Sequence, residues 1–107
     1  MKVLSSQEEL VLLAVLALGE NAYGVTIRRH VSQVTGKDWS IGGIYDPLYR
    51  LEKNGYMRST LSEPTPERGG RAKRIFSVTR EGKEALVEHK KVRDELWQGL
   101  PQIALGK

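Results

Sequence analysis

The stretch SIGGIYDPLYRLEKNGYMR, residues 40–58, combines a short helical pattern, a helix stop and the beginning of a strand. Leu48, Leu51 and, less clearly, Ile44 recur at helical spacing and predict the inner face of one helix. Asn54-Gly55 predicts the end of that helix, because these residues accept the backbone conformation that stops it. The alternating run that follows, residues 56–61, predicts a strand.

The start of this helix has two interpretations. Ser40 is a good cap for a helix that begins at Ile41. Asp46-Pro47 also has the form of a cap followed by proline at the first helical position. With the early start, Pro47 removes one backbone hydrogen bond and should bend the helix. With the late start, Gly42 and Gly43 belong to the preceding turn.

Downstream, the pattern predicts a hairpin and one long helix. Residues 56–61 and 74–78 alternate in character, and the prolines and glycines between them predict a long hairpin tip. Thr79 is placed to cap the last helix, which Pro101 should end. Its apolar stripe has no obvious partner in its own chain and consists of Ala85, Leu86, His89, Val92, Leu96, Trp97 and Leu100.

Two further helices are expected upstream. Ser5 or Ser6 can cap a first helix that runs to about Leu18, and Asn21 is the cap candidate for a second, which ends at Gly36 after residue 35. The first helix is apolar on nearly every side, which is typical of a helix buried on more than one side. In so small a chain, this indicates a second subunit.

The order helix, strand, basic loop, return strand predicts a mainly α fold with a small β-hairpin wing. Such a winged helix-turn-helix directs one helix to the DNA major groove and the hairpin to the flanking backbone. We assign residues 1–78 to this DNA-binding domain. Residues 79–107 are assigned to a long C-terminal dimerisation helix and its tail.

Composition limits the remaining choices. The chain has 107 residues, a net charge of +4 and no cysteine, which excludes a disulfide framework and thiolate metal sites. The apolar run 10–18 is too short to span a bilayer, so we expect a cytoplasmic protein without a membrane partner. In residues 64–74, four cations stand against the single carboxylate of Glu67. This cluster favours a polyanionic partner, although a solvated loop is an equally good reading.

The predicted contacts to double-stranded operator DNA come from the second helix, the third helix and the hairpin. Short residues at the start of a major-groove helix allow close approach, and cations nearby bind phosphate. The alternatives are a core role for Tyr23 and Tyr45, a plain turn for the glycine pair, and ordinary solvated charge for Arg50 and Lys53. The full set is Tyr23, Thr26, Ser40, Gly42, Gly43, Tyr45, Arg50, Lys53, Arg68, Arg71 and Lys73.

Catalysis finds little support in the sequence. His30 and His89 lie on different predicted helices without a cysteine partner, and no triad, paired-carboxylate motif or phosphate loop stands out. We therefore expect neither enzyme activity, nor a metal, nor a cofactor. The competing class is a winged helix that binds only proteins, without sequence-specific DNA binding.

The chain is also expected to bind a second copy of itself and a small ligand. Paired copies of Trp97 across a two-fold axis could hold a flat aromatic effector, although simple packing of the dimer core is the stronger reading. The predicted interface residues are Leu10, Leu13, Leu86, His89, Val92, Leu96, Trp97 and Leu100.

Four segments in order resemble the PadR family of bacterial transcriptional regulators, in its short form with one C-terminal helix. They are residues 23–27 (YGVTI), 40–52 (SIGGIYDPLYRLE), 69–74 (GGRAKR) and 79–83 (TREGK), and the likeness covers roughly residues 6–86. The resemblance implies a homodimeric repressor that a signal releases from DNA. One departure is Gly43, where such motifs often have a small hydroxyl residue. A polar DNA contact from that side chain is therefore absent.

Overall fold

A computed structural model of the chain describes residues 3–63 and 72–106. Its helices are α1 (Ser6–Leu18), α2 (Gly24–Thr35), α3 (Ile41–Lys53) and α4 (Arg80–Gln98), with a short 3₁₀ helix at Gly19–Asn21. Strands β1 (Met57–Leu61) and β2 (Arg74–Val78) pair antiparallel, with Met57 opposite Val78 and Leu61 opposite Arg74. The predicted fold class, mainly α with a hairpin wing, is confirmed. Within the described ranges, no helix has the length and apolar character needed to cross a membrane.

Ser5, rather than Ser6, caps α1. The Ser5 amide donates to the Glu8 carboxylate at 2.8 Å, and the Glu8 amide donates to the Ser5 hydroxyl at 3.1 Å. This reciprocal capping box satisfies two amides that a helix start would otherwise leave unpaired.

The predicted cap of α2 was wrong: Tyr23, not Asn21, occupies the cap position in an extended conformation. Thr26 closes the first turn, because its hydroxyl accepts from the Tyr23 amide at 3.0 Å and lies within hydrogen-bond distance of the Asn21 carbonyl. Asn21 thus serves the helix start through its backbone instead of its side chain. Gly36 ends α2 with a φ of 71°, as expected.

The structure settles the start of α3 in favour of Ser40. The Ser40 hydroxyl accepts from the Gly43 amide at 2.9 Å, and the helix continues through Pro47 to Lys53. Pro47 cannot supply the backbone donor of its turn, but its ring is buried in the core, which offsets part of that loss. Gly55, at a φ of 82°, turns the chain into β1.

The core lies between α1, α2, α3 and the hairpin. Ile44, Leu48 and Leu51 form the fully buried face of α3, as predicted. They pack with side chains from the other elements, including Leu12, Ile27, Met57 and Phe76. The Phe76 amide donates to the Ala22 carbonyl at 2.8 Å, which ties β2 to the segment between α1 and α2. The hairpin is therefore held in place relative to the helix-turn-helix.

Helix α4 starts against the turn that joins α3 to β1. Thr79 caps it, as predicted, by accepting from the Gly82 amide at 3.1 Å. The Thr79 hydroxyl also donates to the Gly55 carbonyl at 2.7 Å, and its amide donates to the Tyr56 carbonyl at 3.1 Å. The helix ends at Gln98, so Pro101 lies in the turn beyond it.

Candidate nucleic-acid interface

The first turn of α3 presents a bare surface. Ile41 and Gly42 are exposed, and a Cβ atom added to Gly42 would meet no group within 4 Å apart from its chain neighbours in the described structure. Gly43 differs, because a Cβ there would lie 3.1 Å from the Ser40 hydroxyl and 3.7 Å from the Trp39 ring. A side chain at position 43 would therefore press on the cap, whereas the space beside Gly42 is open.

A hydrogen-bonded staple holds the turn between α2 and α3. The Trp39 amide donates to the Ser32 hydroxyl at 3.1 Å, and its indole Nε1 donates to the Thr35 hydroxyl at 3.0 Å. Arg28 reaches the Trp39 carbonyl at 3.4 Å and the Asp38 carboxylate at 3.5 Å. The sequence reasoning missed these residues; a tryptophan directly before a helix cap was the available signal. The staple sets the angle at which α3 leaves α2.

Tyr45 packs where α2, α3 and β2 meet. Its ring stacks on Tyr49 at a centroid distance of 5.4 Å and meets the edge of Phe76 at 6.3 Å. The ring also lies against Gly24, where an added Cβ would overlap the Tyr45 hydroxyl and approach its Cζ to 2.8 Å. Tyr45 is half-buried and packs within the chain, so any DNA contact is limited to its exposed edge.

Lys73 and Tyr23 come together, although fifty residues of sequence separate them. The Lys73 ammonium lies 4.2 Å from the centroid of the Tyr23 ring, a cation–π contact. Because Tyr23 caps α2, the contact places a hairpin cation beside the positive end of that helix. The Lys73 amide and carbonyl both pair with Ser62, at 2.9 Å and 2.7 Å, which fixes the base of the wing. Arg68 and Arg71 lie outside the described residues.

Three more of the residues predicted to contact DNA are Thr26, Arg50 and Lys53, which lie away from the first turn of α3. Thr26 is buried and its hydroxyl serves the cap of α2, so we do not retain it among the proposed DNA contacts. Arg50 lies 3.9 Å from the Glu8 carboxylate. Lys53 is exposed in the last turn of α3. Both cations lie about 15 Å or more along the axis from the Ser40 end, at a rise of about 1.5 Å per residue.

The predicted interface residues of α4 and of the turn after it fall into a buried group and an exposed group, with the half-buried Val92 between them. Leu86 and His89 are buried within the chain, and His89 Nε2 lies 3.6 Å from the Glu9 carboxylate. Arg93 donates to both oxygens of Glu9, at 3.0 and 3.1 Å. The expectation that the stripe has no partner in its own chain is therefore wrong for Leu86 and His89. Beyond Arg93, the apolar side chains are exposed: Leu96, Trp97 and Leu100.

An apolar groove lies between α1 and α2. It has a volume of about 250 Å³, and its walls include Leu10, Leu13, Ala14 and Val34. Leu13 is 49 % exposed and Val34 is 70 % exposed, which is high for apolar side chains beside the core. The predicted interface residues Leu10 and Leu13 thus belong to a concave surface, while those beyond Arg93 belong to a projecting helix.

These features define a winged helix-turn-helix: a capped helix with an open first turn, a fixed angle to the preceding helix, and a hairpin with a cation at its base. A sequence model described as the transcriptional regulator PadR-like family matches residues 12–88. The chain belongs to the PadR-like family of transcriptional regulators. It is therefore a DNA-binding transcriptional regulator and not an enzyme.

Solved structures agree with this assignment. A PadR family transcription regulator from hypervirulent Clostridium difficile is 25 % identical, with a TM-score of 0.67 over 88 % of this chain and 93 % of that one. A Streptococcus transcriptional regulator is 28 % identical, with a TM-score of 0.64 over 86 % and 88 %. A PadR-like transcription factor from Bacteroides fragilis shares the fold at 20 % identity, with a TM-score of 0.67 over 86 % of each chain. No curated protein matches the sequence.

Proposed function

We propose that this protein is a homodimeric repressor that binds a specific operator through the first turn of α3 and the base of the wing. Residues 1–78 bind the DNA, and residues 79–107 join the two copies. The observation that carries the proposal is the open surface at Gly42 on the cap end of α3. Lys73, held over Tyr23 at the positive end of α2, supplies a cation for the flanking phosphates.

Binding measured over a range of salt concentrations tests this proposal. Operator sites are first selected from random DNA, and affinity is then measured by fluorescence anisotropy. For Lys73→Ala we expect weaker binding to all sequences. The slope of log affinity against log salt should become less steep by about 0.9, the value for one lost phosphate contact.

Lys91→Ala is the matched control, because Lys91 is an exposed cation on α4. Its salt slope should equal that of the wild type. If both variants keep the wild-type slope, Lys73 does not touch phosphate. If no sequence is selected at any salt concentration, the protein-interaction module without sequence-specific DNA binding becomes the better assignment.

The proposed dimer pairs two unfilled apolar surfaces. One is the groove walled by Leu10, Leu13 and Val34, and the other is the exposed end of α4. We therefore expect light scattering at micromolar concentration to give twice the chain mass of 12.0 kDa. Val34→Asp should reduce this mass to that of a single chain, because it puts a charge into an apolar contact.

Leu61→Asp provides the comparison for that substitution. Leu61 is 64 % exposed, close to the 70 % of Val34, but lies on β1, away from the groove, so its variant should remain dimeric. A stable wild-type mass of 12.0 kDa would exclude the dimer. A dimeric Val34→Asp variant would place the contact elsewhere.

Repression, release by a planar aromatic effector and a cytoplasmic location complete the proposal. Trp97 is 57 % exposed near the end of α4, and a two-fold axis through this region would bring two indoles together. A ligand between them could weaken DNA binding only by favouring a dimer in which the recognition helices are spaced differently. The location follows from the chromosomal DNA that such a regulator must reach.

A further inference from the structure

Helix α3, the proposed recognition helix, lacks the side chains that most often read bases by hydrogen bonding. Guanine is usually read by Arg or Lys, and adenine by Asn or Gln. None of these four residue types occurs from Ser40 to Tyr49. The first cation after them, Arg50, lies near Glu8 towards the far end of α3. Asp46 is exposed, but its carboxylate can only accept a hydrogen bond, which limits it to the amino groups of cytosine and adenine.

An apolar side chain stands at the tip of this helix instead. Ile41 is the first residue of α3 and is 46 % exposed, whereas Ile44, one turn later, is fully buried. A single exposed isoleucine is ordinary on a protein surface. Ile41 differs from such a residue because it lies at the cap end of the helix that is proposed to enter the major groove.

The neighbouring residues favour close approach of this side chain to DNA. Gly42 carries no side chain, and the space beside it is open. Ser40 points its hydroxyl oxygen at the Gly43 amide, and the cap therefore holds the first turn in one conformation. Ile41 is thus presented from a rigid turn, with no bulk at the next position to keep the helix away from the base edges.

We propose that Ile41 reads thymine, by packing against its C5 methyl group in the major groove. This inference rests on the proposed operator binding and identifies which base one position of the operator must carry. The thymine methyl is the apolar group on the major-groove edge of the four base pairs, so it is the chemical partner of an isoleucine there. In a two-fold dimer, the preference appears once in each half-site.

Thymine-to-uracil exchange tests the proposal, because it removes the methyl group and leaves all hydrogen-bonding groups in place. The operator is selected from random DNA, and each thymine is then replaced singly by deoxyuridine. At one position in each half-site, we expect the wild-type affinity to fall about fourfold, the effect of losing one buried methyl group. In Ile41→Ala, thymine and uracil at that position should bind equally well.

Val25→Ala is the matched control, because Val25 is 45 % exposed on the first turn of α2. It should keep the full preference for thymine. Circular dichroism checks that Ile41→Ala folds, which we expect because alanine favours helices. The proposal is overturned if no thymine is preferred to uracil, or if the preference persists in Ile41→Ala. Failure to select any DNA would instead count against operator binding itself.

Discussion

Replacement of Gly82 by alanine is expected to destabilise the fold by at least about 2 kcal/mol, a large effect for one methyl group. The added Cβ would overlap the Tyr56 carbonyl oxygen and lie 2.7 Å from Val78 Cγ1. The carbonyl cannot move away freely, because it also accepts the Thr79 amide at the start of α4. For a domain of this size, the melting temperature followed by circular dichroism should fall by at least about 8 °C.

Gly99→Ala is the control for this prediction. It lies at the other end of α4, and its added Cβ would come no closer than 3.5 Å to another group, which is ordinary contact. We expect its stability to differ from the wild type by no more than about 0.5 kcal/mol. Wild-type melting of Gly82→Ala would show that α4 does not meet Tyr56 and Val78 as closely as described.

Replacement of Gly42 by alanine is expected to separate folding from DNA binding. Alanine favours helices over glycine by up to about 1 kcal/mol, and the added Cβ meets open space, so the protein should be at least as stable as the wild type. Affinity for the selected operator should fall at least about tenfold, or 1.4 kcal/mol, because the methyl group keeps the helix away from the base edges. Fluorescence anisotropy and thermal melting measure the two effects on one sample.

Gly43→Ala gives the contrasting result. Its Cβ would lie 3.1 Å from the Ser40 hydroxyl, so the cap must shift by a few tenths of an ångström, and this variant should gain less stability than Gly42→Ala. The first turn of α3 would not be the contact surface if Gly42→Ala bound the operator as tightly as the wild type.

Features governed by neighbouring residues could be predicted from the sequence. Strand β2 has the predicted bounds, and β1 begins one residue later than expected. Thr79 and Gly36 act as the predicted cap and stop. The helix also stops at Asn54-Gly55 as predicted, and Leu48 and Leu51 lie on its buried face. Each of these depends on interactions within one turn or one period, which the sequence displays directly.

The tertiary structure decided what depends on distant contacts. Ser40 and Asp46 are both acceptable helix caps, and the structure shows that Ser40 is the cap and that the early turn places Ile44 in the core. The staple at Trp39 and the contact of Lys73 with Tyr23 were not visible in the sequence, because no local pattern records them. The sequence shows no partner for Leu86 and His89, whereas in the structure Leu86 joins the core and His89 lies beside Glu9 of α1. Local propensities therefore place the elements, while packing selects their starts and brings distant side chains into one surface.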